Sequence, residues 1–257
     1  MNSKLFLWEA DAPDERDHAF QAPALDLPAQ VDLRPHCPPV FDQGARIGSC
    51  TANAVCNAFR FNLMRQARER AMAMPTYHPS RLFLHYNARA IAGTQDQNKG
   101  AQIRDAMKSV AKHGICRESR WPYRTYRYAS QPPQPAYEQA LSYQSIAYQR
   151  LRHELEELKI CLAQGYPIVC GLTVFSAFDS AQMTSRGVLN LPKKEEEKVG
   201  GHAVLLVGYK EMSQRFIVMN SWGKTWGQKG YFTMPYDYVL NPKLARDFWT
   251  LRAVEWG

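Results

Sequence analysis

The sequence lacks any apolar run long enough to cross a lipid bilayer, since its longest, Ala203–Val207, has only the length of a strand. The first ten residues contain one short apolar run, Leu5–Trp8, which is too short for the core of a secretory signal peptide. We therefore expect no membrane partner. The compartment stays open between the cytoplasm and export by a non-classical route.

The sequence also lacks the spacings that hold metals. Its six cysteines form no CxxC pair, and no cysteine and histidine lie at zinc-site spacing, so we expect no metal and no cofactor. Without a signal peptide, we expect mostly reduced thiols. The net charge is +8, but the basic residues are spread along the chain, so we attribute the excess to solubility rather than to an anionic partner.

Apolar periodicity changes halfway along the chain. Helical spacing follows Ser49 to about Arg70, Ser80 to about Ala92, and Ile103 to a stop at Gly114. A leucine stripe around residue 155 adds a helix, and strand-like segments follow it: Ile168–Phe175, His202–Tyr209, Arg215–Asn220 and Gly230–Met234. Helices first and strands second predict an α+β protein with two lobes and a cleft between them.

Composition suggests three regions. Residues 1–30 are acidic and proline-punctuated, and we interpret them as an extended N-terminal arm rather than a domain. Residues 31–257 are predicted to form one catalytic domain, with a helical lobe at about 40–128 and a β lobe at about 135–250. The proline-rich segment 131–135 predicts a stiff crossover between the lobes.

One stretch carries a candidate nucleophile. Cys50 opens the first predicted helix, where the helix dipole favours a thiolate. Gln43 lies on the preceding turn, from which its amide and the Cys50 N–H could both donate to an oxyanion. A cysteine near a helix start is more often a small buried residue, so Cys50 alone does not decide between the two interpretations.

Two further stretches supply the proton acceptor that a thiol nucleophile needs and a side chain that could orient it. His202 opens an apolar strand, and a histidine is the side chain that takes a thiol's proton at neutral pH. Asn220 begins the segment Asn-Ser-Trp-Gly, and its side-chain oxygen could orient the histidine ring. Trp222 could then cover that contact and exclude water.

The segment 117–128 alternates arginines with aromatic residues, and we name it the arginine–aromatic loop. It could form a nucleotide or nucleic-acid surface. The favoured interpretation is a loop whose aromatic residues pack on the core while its arginines face solvent.

Three stretches in register resemble the papain-like cysteine peptidases. They are Gln-Gly…Gly-Ser-Cys at 43–50, His-Ala-Val-x-x-Val-Gly-Tyr at 202–209, and Asn-Ser-Trp-Gly-x-x-Trp-Gly-x-x-Gly-Tyr at 220–231. The resemblance implies the papain-like fold, in which the cleft separates a helical left lobe from an antiparallel, β-barrel-like right lobe. A short N-terminal arm distinguishes this chain as a divergent, bacterial-type member.

The resemblance also implies roles for particular residues. Cys50 matches the nucleophile, His202 the general base and acid, Asn220 its orienting partner, and Gln43 the oxyanion donor. Trp222 matches the shield over the contact between the histidine and the asparagine, and Trp226 borders the leaving-group side of the cleft. The full set of matching substrate-binding positions is Gly100, Ala101, Ile103, Gly171, Gly200, Gly201, Trp222 and Trp226.

Departures from the family pattern affect the cleft but remove no reacting group. One extra residue lies between Gln43 and Cys50, and Thr51 stands where the family has tryptophan. Ala101 replaces a glycine, and the bare Gly200–Gly201 pair implies a roomy pocket. The family's long inhibitory propeptide has only residues 1–30 as its counterpart, so the arm either blocks the cleft, as in a zymogen, or packs on the back of the protein.

These features predict a cysteine-type endopeptidase that acts through a Cys50 thiolate, a His202 imidazolium and a thioester. We expect a monomer whose partners are a peptide or protein substrate and its own arm. One alternative is a weak or silent peptidase fold that binds an anionic ligand such as a nucleotide. Another is a thiol hydrolase acting on a ubiquitin-like tail or a non-protein amide.

Overall fold

The computed structural model describes residues 5–255. Seven α-helices lie in this range, and the three longest are in the first half of the chain: α1 Cys50–Glu69, α2 Arg81–Ile91, α3 Ile103–His113, α4 Gln134–Ala140, α5 Leu155–Ala163, α6 Ala181–Arg186 and α7 Tyr236–Leu240. The three helices predicted from Ser49, Ser80 and Ile103 are confirmed. Ser80 caps α2 by accepting a hydrogen bond from Phe83 N at 3.2 Å, and Gly114 ends α3 with a φ of 70°.

Seven strands form one antiparallel sheet: β1 Gln30–Asp32, β2 Ser145–Arg150, β3 Ile168–Phe175, β4 Lys198–Lys210, β5 Arg215–Met219, β6 Tyr231–Pro235 and β7 Ala245–Val254. The strand order is β2-β7-β3-β4-β5-β6, and β1 pairs with β4. Helix α1 packs against β4 and β7, so its amino-terminal end meets the sheet. The predicted α+β fold of two lobes is therefore confirmed.

The sequence pattern missed three of these strands. In β7 the alternation of buried and exposed residues is broken at Asp247, which is buried and adopts a φ of 60°. Strand β2 is half-buried with two register shifts against β7, and β1 has three residues, so neither produces a clear period-two signal.

The sequence predicts that the second lobe starts at about residue 135, and helix α4, which begins at Gln134, packs on the helical lobe. Tyr137 of α4 donates a hydrogen bond to Asn87 Oδ1 at 2.8 Å, and its ring lies 4.9 Å from that of Phe83. Both partners belong to α2, so α4 completes the helical lobe. The prolines of the segment predicted as a crossover instead precede and open α4, because proline is well accommodated in a helix's first turn.

The arm is extended, as predicted, and contains no helix or strand before β1 within the described residues. It enters the front of the molecule, where Leu7 pairs in parallel with Gly201, and then passes Arg150, with which Ala19 pairs. The arm therefore lies across the mouth between the lobes rather than on the back of the protein.

Candidate active site

Cys50 is the first residue of α1, and its side chain is fully buried. Burial raises the pKa of its thiol, while the backbone N–H groups of Ala203 and Thr51 act in the opposite direction. Ala203 directly follows His202 on β4, so these contacts place the thiol beside the histidine's strand. The helix start and the sheet thus bring together two of the stretches that the sequence singled out.

His202 is fully buried and is joined to Asn220. The distance from His202 Nε2 to Asn220 Oδ1 is 2.8 Å, and the same oxygen accepts a hydrogen bond from Ser221 N at 2.8 Å. Asn220 directly follows β5, which pairs with β4, so the antiparallel register holds the two side chains together. The Trp222 ring lies 5.1 Å from the His202 ring and covers it.

Gln43 is held by the segment that follows Asn220. Its backbone N–H donates to Ser221 O at 2.8 Å, and its Oε1 accepts from Ser221 Oγ at 2.6 Å. The side chain is fully buried, and its Nε2 has no acceptor among the described residues. A buried amide that keeps a free donor is what stabilisation of a developing oxyanion requires.

Two residues that the sequence analysis did not assign support this turn. The Tyr123 hydroxyl donates to Gln43 O at 3.0 Å and shares a hydrogen bond with Ser49 Oγ, so it links both ends of the turn. Ser221 orients Gln43, as described above. Ser221 lies in a stretch that carries the resemblance, so its role could have been inferred from the motif. Tyr123 lies in the arginine–aromatic loop, and only the tertiary structure brings it to the turn.

The arm lies against His202 and against Gly48, which is two residues before Cys50. Gly201 N donates to Phe6 O at 3.2 Å, and Trp8 N donates to Gly201 O at 3.0 Å. The Phe6 ring packs 6.0 Å from His202 and 5.7 Å from Trp222. The arm therefore makes backbone hydrogen bonds with β4 and covers the histidine.

Glycines allow the arm to come this close. A Cβ on Gly100 would lie 1.4 Å from Leu7 O, and a Cβ on Gly200 would lie 2.3 Å from Phe6 O. A Cβ on Gly171 would lie 2.0 Å from the Trp8 ring. These are positions that the sequence analysis assigned to substrate binding, and here they contact the arm instead.

The remaining predicted binding positions differ in their surroundings. Trp222 and Trp226 lie 5.1 Å apart, and Phe178, which carried no sequence signal, packs against both. Ala101 O accepts from Thr51 Oγ1 at 2.9 Å, which ties α1 to the segment before α3. Ile103 is fully buried at the start of α3.

The arm is anchored further along by charged groups. Asp17 pairs with Arg104 at 2.5 Å and with Arg150 at 2.7 Å, and all three side chains are at least partly buried. Asp11 accepts from Trp249 Nε1 at 2.7 Å, while its N–H donates to Asp247 Oδ2 at 2.8 Å. Acidic residues of the arm thus meet basic residues of the body.

The arginine–aromatic loop is packed as its favoured interpretation predicted. Trp121 is buried with the Arg127 guanidinium 4.1 Å above its ring, and Arg117 donates to Tyr143 Oη at 2.7 Å. The Arg81 guanidinium lies 3.9 Å from the Tyr123 ring. Trp121 and Tyr123 therefore anchor the loop, whereas Tyr126 is 71% exposed. Nothing in this arrangement favours a nucleotide surface.

Across residues 5–255 there is no group of three His, Cys, Asp or Glu side chains that could hold a metal ion. Within the same range, no helix is both long and apolar enough to span a membrane. All six cysteines are free thiols.

A two-lobe fold with a cysteine at a helix start, facing a histidine that is paired with an asparagine, defines the class of the papain-like thiol peptidases. The sequence profile described as papain family cysteine protease matches residues 27–245. The chain therefore belongs to the papain family of cysteine proteases, and it is a cysteine endopeptidase.

Individual relatives agree with this assignment. An uncharacterized peptidase C1-like protein of Acanthamoeba polyphaga mimivirus is 42% identical over 221 residues, which cover 83% of this chain and 69% of that protein. The crystal structure of xylellain, a cysteine protease from Xylella fastidiosa, superposes with a TM-score of 0.88 at 37% identity, covering 97% of this chain and 96% of xylellain. A cathepsin L of Sarcophaga peregrina is 35% identical over 82 residues, which cover 31% of this chain and 23% of the cathepsin.

Proposed function

We propose that Cys50 and His202 carry out the endopeptidase reaction. Cys50 Sγ attacks the scissile carbonyl carbon as His202 takes up the thiol proton, and His202 then passes that proton to the leaving amine. The peptide C–N bond breaks and a thioester forms on Cys50. Water, deprotonated by His202, hydrolyses the thioester and releases the new carboxylate.

Asn220 and Gln43 support these steps in different ways. Asn220 Oδ1 orients the imidazole through the 2.8 Å contact, and Trp222 shields that contact from water. Gln43 Nε2, together with the Cys50 N–H at the start of α1, donates to the oxyanion of the tetrahedral intermediate. The observation that carries this assignment is the buried Gln43 Nε2, which lacks an acceptor until such an oxygen arrives.

We infer further that the arm keeps the full chain inactive, as in a zymogen. The arm runs from Phe6, beside Trp222, to Trp8, beside Gly171. A substrate would run the other way if Trp222 and Trp226 border the leaving group and Gly171 lines the pocket before the cut. A reversed backbone does not present a scissile carbonyl to Cys50 in the orientation for attack, so the arm can fill the cleft without being cleaved there.

The substrate is a peptide or protein, and an extended strand of it would take the arm's place. Backbone hydrogen bonds to Gly201 and close approach to Gly100 would then be made by the substrate. We propose that the chain acts as a monomer, with the arm as its only built-in partner. None of the contacts described above favours the anionic-ligand or ubiquitin-like alternatives.

Mass spectrometry after treatment with an epoxide inhibitor of thiol peptidases tests both the reacting pair of Cys50 and His202 and the inhibition by the arm. A single adduct on Cys50 that disappears in a His202→Ala variant would support the reacting pair. An adduct that forms slowly on the full chain and rapidly on a chain lacking residues 1–28 would support the inhibitory arm. No adduct on either chain would refute the reacting pair, and equal rates on both would refute inhibition by the arm.

A further inference from the structure

A largely buried ion pair lies behind the turn that carries Gln43. Arg81 is the first residue of α2, and Glu118 lies in the arginine–aromatic loop. Arg81 Nε donates to Glu118 Oε2 at 2.9 Å, and Arg81 Nη2 donates to Glu118 Oε1 at 2.7 Å. The side chains of Arg81 and Glu118 are 9% and 23% exposed. Two parallel hydrogen bonds of this kind hold the guanidinium in one orientation.

The remaining nitrogen of the guanidinium faces the turn. Arg81 Nη1 donates to Asp42 O at 3.1 Å, and Asp42 directly precedes Gln43. The same nitrogen donates to Asn53 Oδ1 at 3.4 Å, and Asn53 Nδ2 donates to Ser49 O at 2.9 Å. One guanidinium is therefore connected to both ends of the turn, at residues 42 and 49.

Two aromatic rings enclose this guanidinium. Arg81 Cζ lies 3.9 Å from the centroid of the Tyr123 ring and 4.4 Å from the centroid of the Phe41 ring. The Tyr123 hydroxyl donates to Gln43 O, and Phe41 directly precedes Asp42 in the chain. Both rings that pack on Arg81 are thus themselves attached to the turn.

The turn depends on these contacts because regular structure does not support it. Residues 43–49, all of them within the described range, belong to no helix or strand. Ser221 of the β lobe binds the Gln43 N–H and Oε1. From the helical lobe, Arg81 and Tyr123 bind the carbonyl oxygens of residues 42 and 43. The peptide planes on both sides of the Gln43 Cα are therefore fixed, and with them the direction of its side chain.

We propose that Arg81, held by Glu118, is a positioning residue for the oxyanion donor Gln43. Arg81 acts through the Asp42 carbonyl and the Tyr123 ring rather than through contact with the substrate. It keeps Gln43 Nε2 at the place where the oxygen of the tetrahedral intermediate forms, and a displaced donor stabilises that intermediate less. The inference rests on the proposed function, because it takes Gln43 to be the oxyanion donor.

Arg81→Lys tests this role. Lysine keeps the positive charge but lacks the planar fork that reaches Glu118 and Asp42 O together. The enzyme is the full chain carrying Phe6→Ala and Trp8→Ala, which remove the rings of the arm from the cleft, and we call it the open chain. In the open chain Arg81→Lys should lower kcat for a peptide amide roughly 10- to 100-fold with KM little changed, because the alignment matters in the transition state.

Arg65→Lys is the matched control for Arg81→Lys. Arg65 also belongs to the helical lobe and pairs with Glu69 at 2.8 Å, within α1. The same substitution there weakens an ion pair that does not contact the turn. We therefore expect Arg65→Lys to preserve kcat, and a kcat that Arg81→Lys leaves at the level of Arg65→Lys would overturn the proposal.

A double variant shows whether Arg81 acts through Gln43. In an open chain that already carries Gln43→Ala, Arg81→Lys should lower kcat no further, because the donor that it positions is absent. Losses that multiply would overturn this inference alone, since they would place the effect of Arg81 elsewhere. A Gln43→Ala enzyme with the kcat of the open chain would overturn the proposed oxyanion role as well.

Two thiol reagents separate positioning from general damage to the site. A peptide aldehyde forms a tetrahedral adduct with Cys50, and its oxygen takes the place of the oxyanion. Iodoacetamide is attacked at a saturated carbon, so its reaction places no oxyanion beside Gln43. Arg81→Lys should weaken aldehyde binding by about the same factor as kcat and leave the rate of Cys50 alkylation unchanged. Equal losses with both reagents would overturn the proposal.

Glu118→Gln is the second variant, and it decides the matter if Arg81→Lys does not fold. It should reproduce the pattern of Arg81→Lys with a smaller loss of kcat, because a neutral amide holds the guanidinium less firmly. Hydrogen exchange in the otherwise unchanged full chain needs no open cleft. The amides of Gln43 and Gly44 should exchange faster in both variants than in the parent or in Arg65→Lys. Unchanged exchange at these two amides would overturn the proposal, even if the open chain showed no turnover.

Discussion

At the scale of single residues, burial decides what each reacting group can do in the closed chain. Burial raises the pKa of the Cys50 thiol, although the backbone N–H groups of Ala203 and Thr51 oppose that shift. An amide at position 220 orients His202 without adding a second charge to a buried site.

Gln43 is the residue for which we expect the sharpest kinetic effect. In the chain lacking residues 1–28, Gln43→Ala should lower kcat by about 10²–10³-fold, because one oxyanion donor is lost. KM should change little, since a ground-state carbonyl interacts weakly with this donor. Steady-state kinetics on a peptide amide would measure both parameters.

Gln66→Ala is the matched control for that experiment. Gln66 is a glutamine of α1 whose side chain bonds the backbone of Val254 at 2.9 and 3.0 Å, away from the cleft. It should lower the unfolding midpoint with kcat preserved. A Gln43→Ala enzyme that retains the parent's kcat would contradict the oxyanion role.

At the scale of elements, the start of α1 and the paired strands β4 and β5 bring together site residues from distant parts of the chain. The turn before α1 is joined to the end of β5 by paired contacts between Gln43 and Ser221. Strand β4 serves twice, because it carries His202 and also pairs with the arm through Gly201. Displacing the arm therefore frees the edge on which a substrate can pair.

The arm's own attachment can be weakened without touching the site. Asp17→Asn should accelerate epoxide labelling of Cys50 in the full chain by about tenfold or more, because Arg104 is 4% exposed and loses its anionic partner. The rate of adduct formation followed by mass spectrometry would show the change.

Asp14→Asn supplies the comparison. Asp14 pairs within the arm with Arg16, whose side chain is 86% exposed, and with Lys108 of α3 at 3.5 Å, whose side chain is 40% exposed. Exposed ion pairs contribute little, so Asp14→Asn should change docking of the arm much less than Asp17→Asn. Equal labelling rates for the two variants would mean that Asp17 does not hold the arm.

At the scale of the whole molecule, three carboxyl groups make closure depend on pH. Burial, with the nearby charge of Asp11, raises the pKa of Asp247 to about 6, although Arg150 and Arg246 oppose the shift. Burial likewise raises the pKa of Asp11 against the opposing effect of Arg104 and Trp249. Burial alone would raise the pKa of Asp17, but hydrogen bonds from Arg104 and Arg150 hold it below its ordinary value.

The raised pKa values of Asp11 and Asp247 and the lowered pKa of Asp17 make docking of the arm depend on pH in opposite directions. A raised carboxyl pKa favours the docked arm in its protonated form, so that contribution is lost as the pH rises through about 6. The contribution of Asp17 is present above its ordinary pKa of 3.8 and is lost as the pH falls through its lowered value. The arm should therefore be held most tightly in mildly acidic solution and loosen toward neutral pH.

Hydrogen exchange along the arm would measure this dependence. After correction for intrinsic exchange rates, protection of residues 6–12 should fall between pH 5 and pH 7.5, which spans the pKa of Asp247 at about 6. In an Asp247→Asn variant the fall should be smaller, because one titrating group is gone. Protection that rises with pH in the parent chain would contradict the prediction.

Much of the chemistry could be predicted from the sequence alone. Cys50 stands at the start of α1 and Asn220 directly after β5, and apolar periodicity locates such points well. His202 lies inside β4, which begins four residues earlier than predicted, at Lys198. Strand β3 was predicted at its observed limits for the same reason. The fold class followed from the change of periodicity between the two halves, because one-sided burial imposes a period of 3.6 or 2 on any chain.

Only the tertiary structure decided where the arm lies, where the helical lobe ends and that Gly100, Gly171 and Gly200 lie against the arm. Residues 5–12 have no periodicity, and their position depends on contacts with Gly201, Arg104 and Trp249, which are 90 residues or more away along the chain. The Trp8 ring fits against Gly171 of β3 and Gly201 of β4 because the pairing of these two strands places small residues side by side. Local sequence determines which elements form. A glycine's lack of a side chain makes room for another segment only when the tertiary structure brings distant strands together.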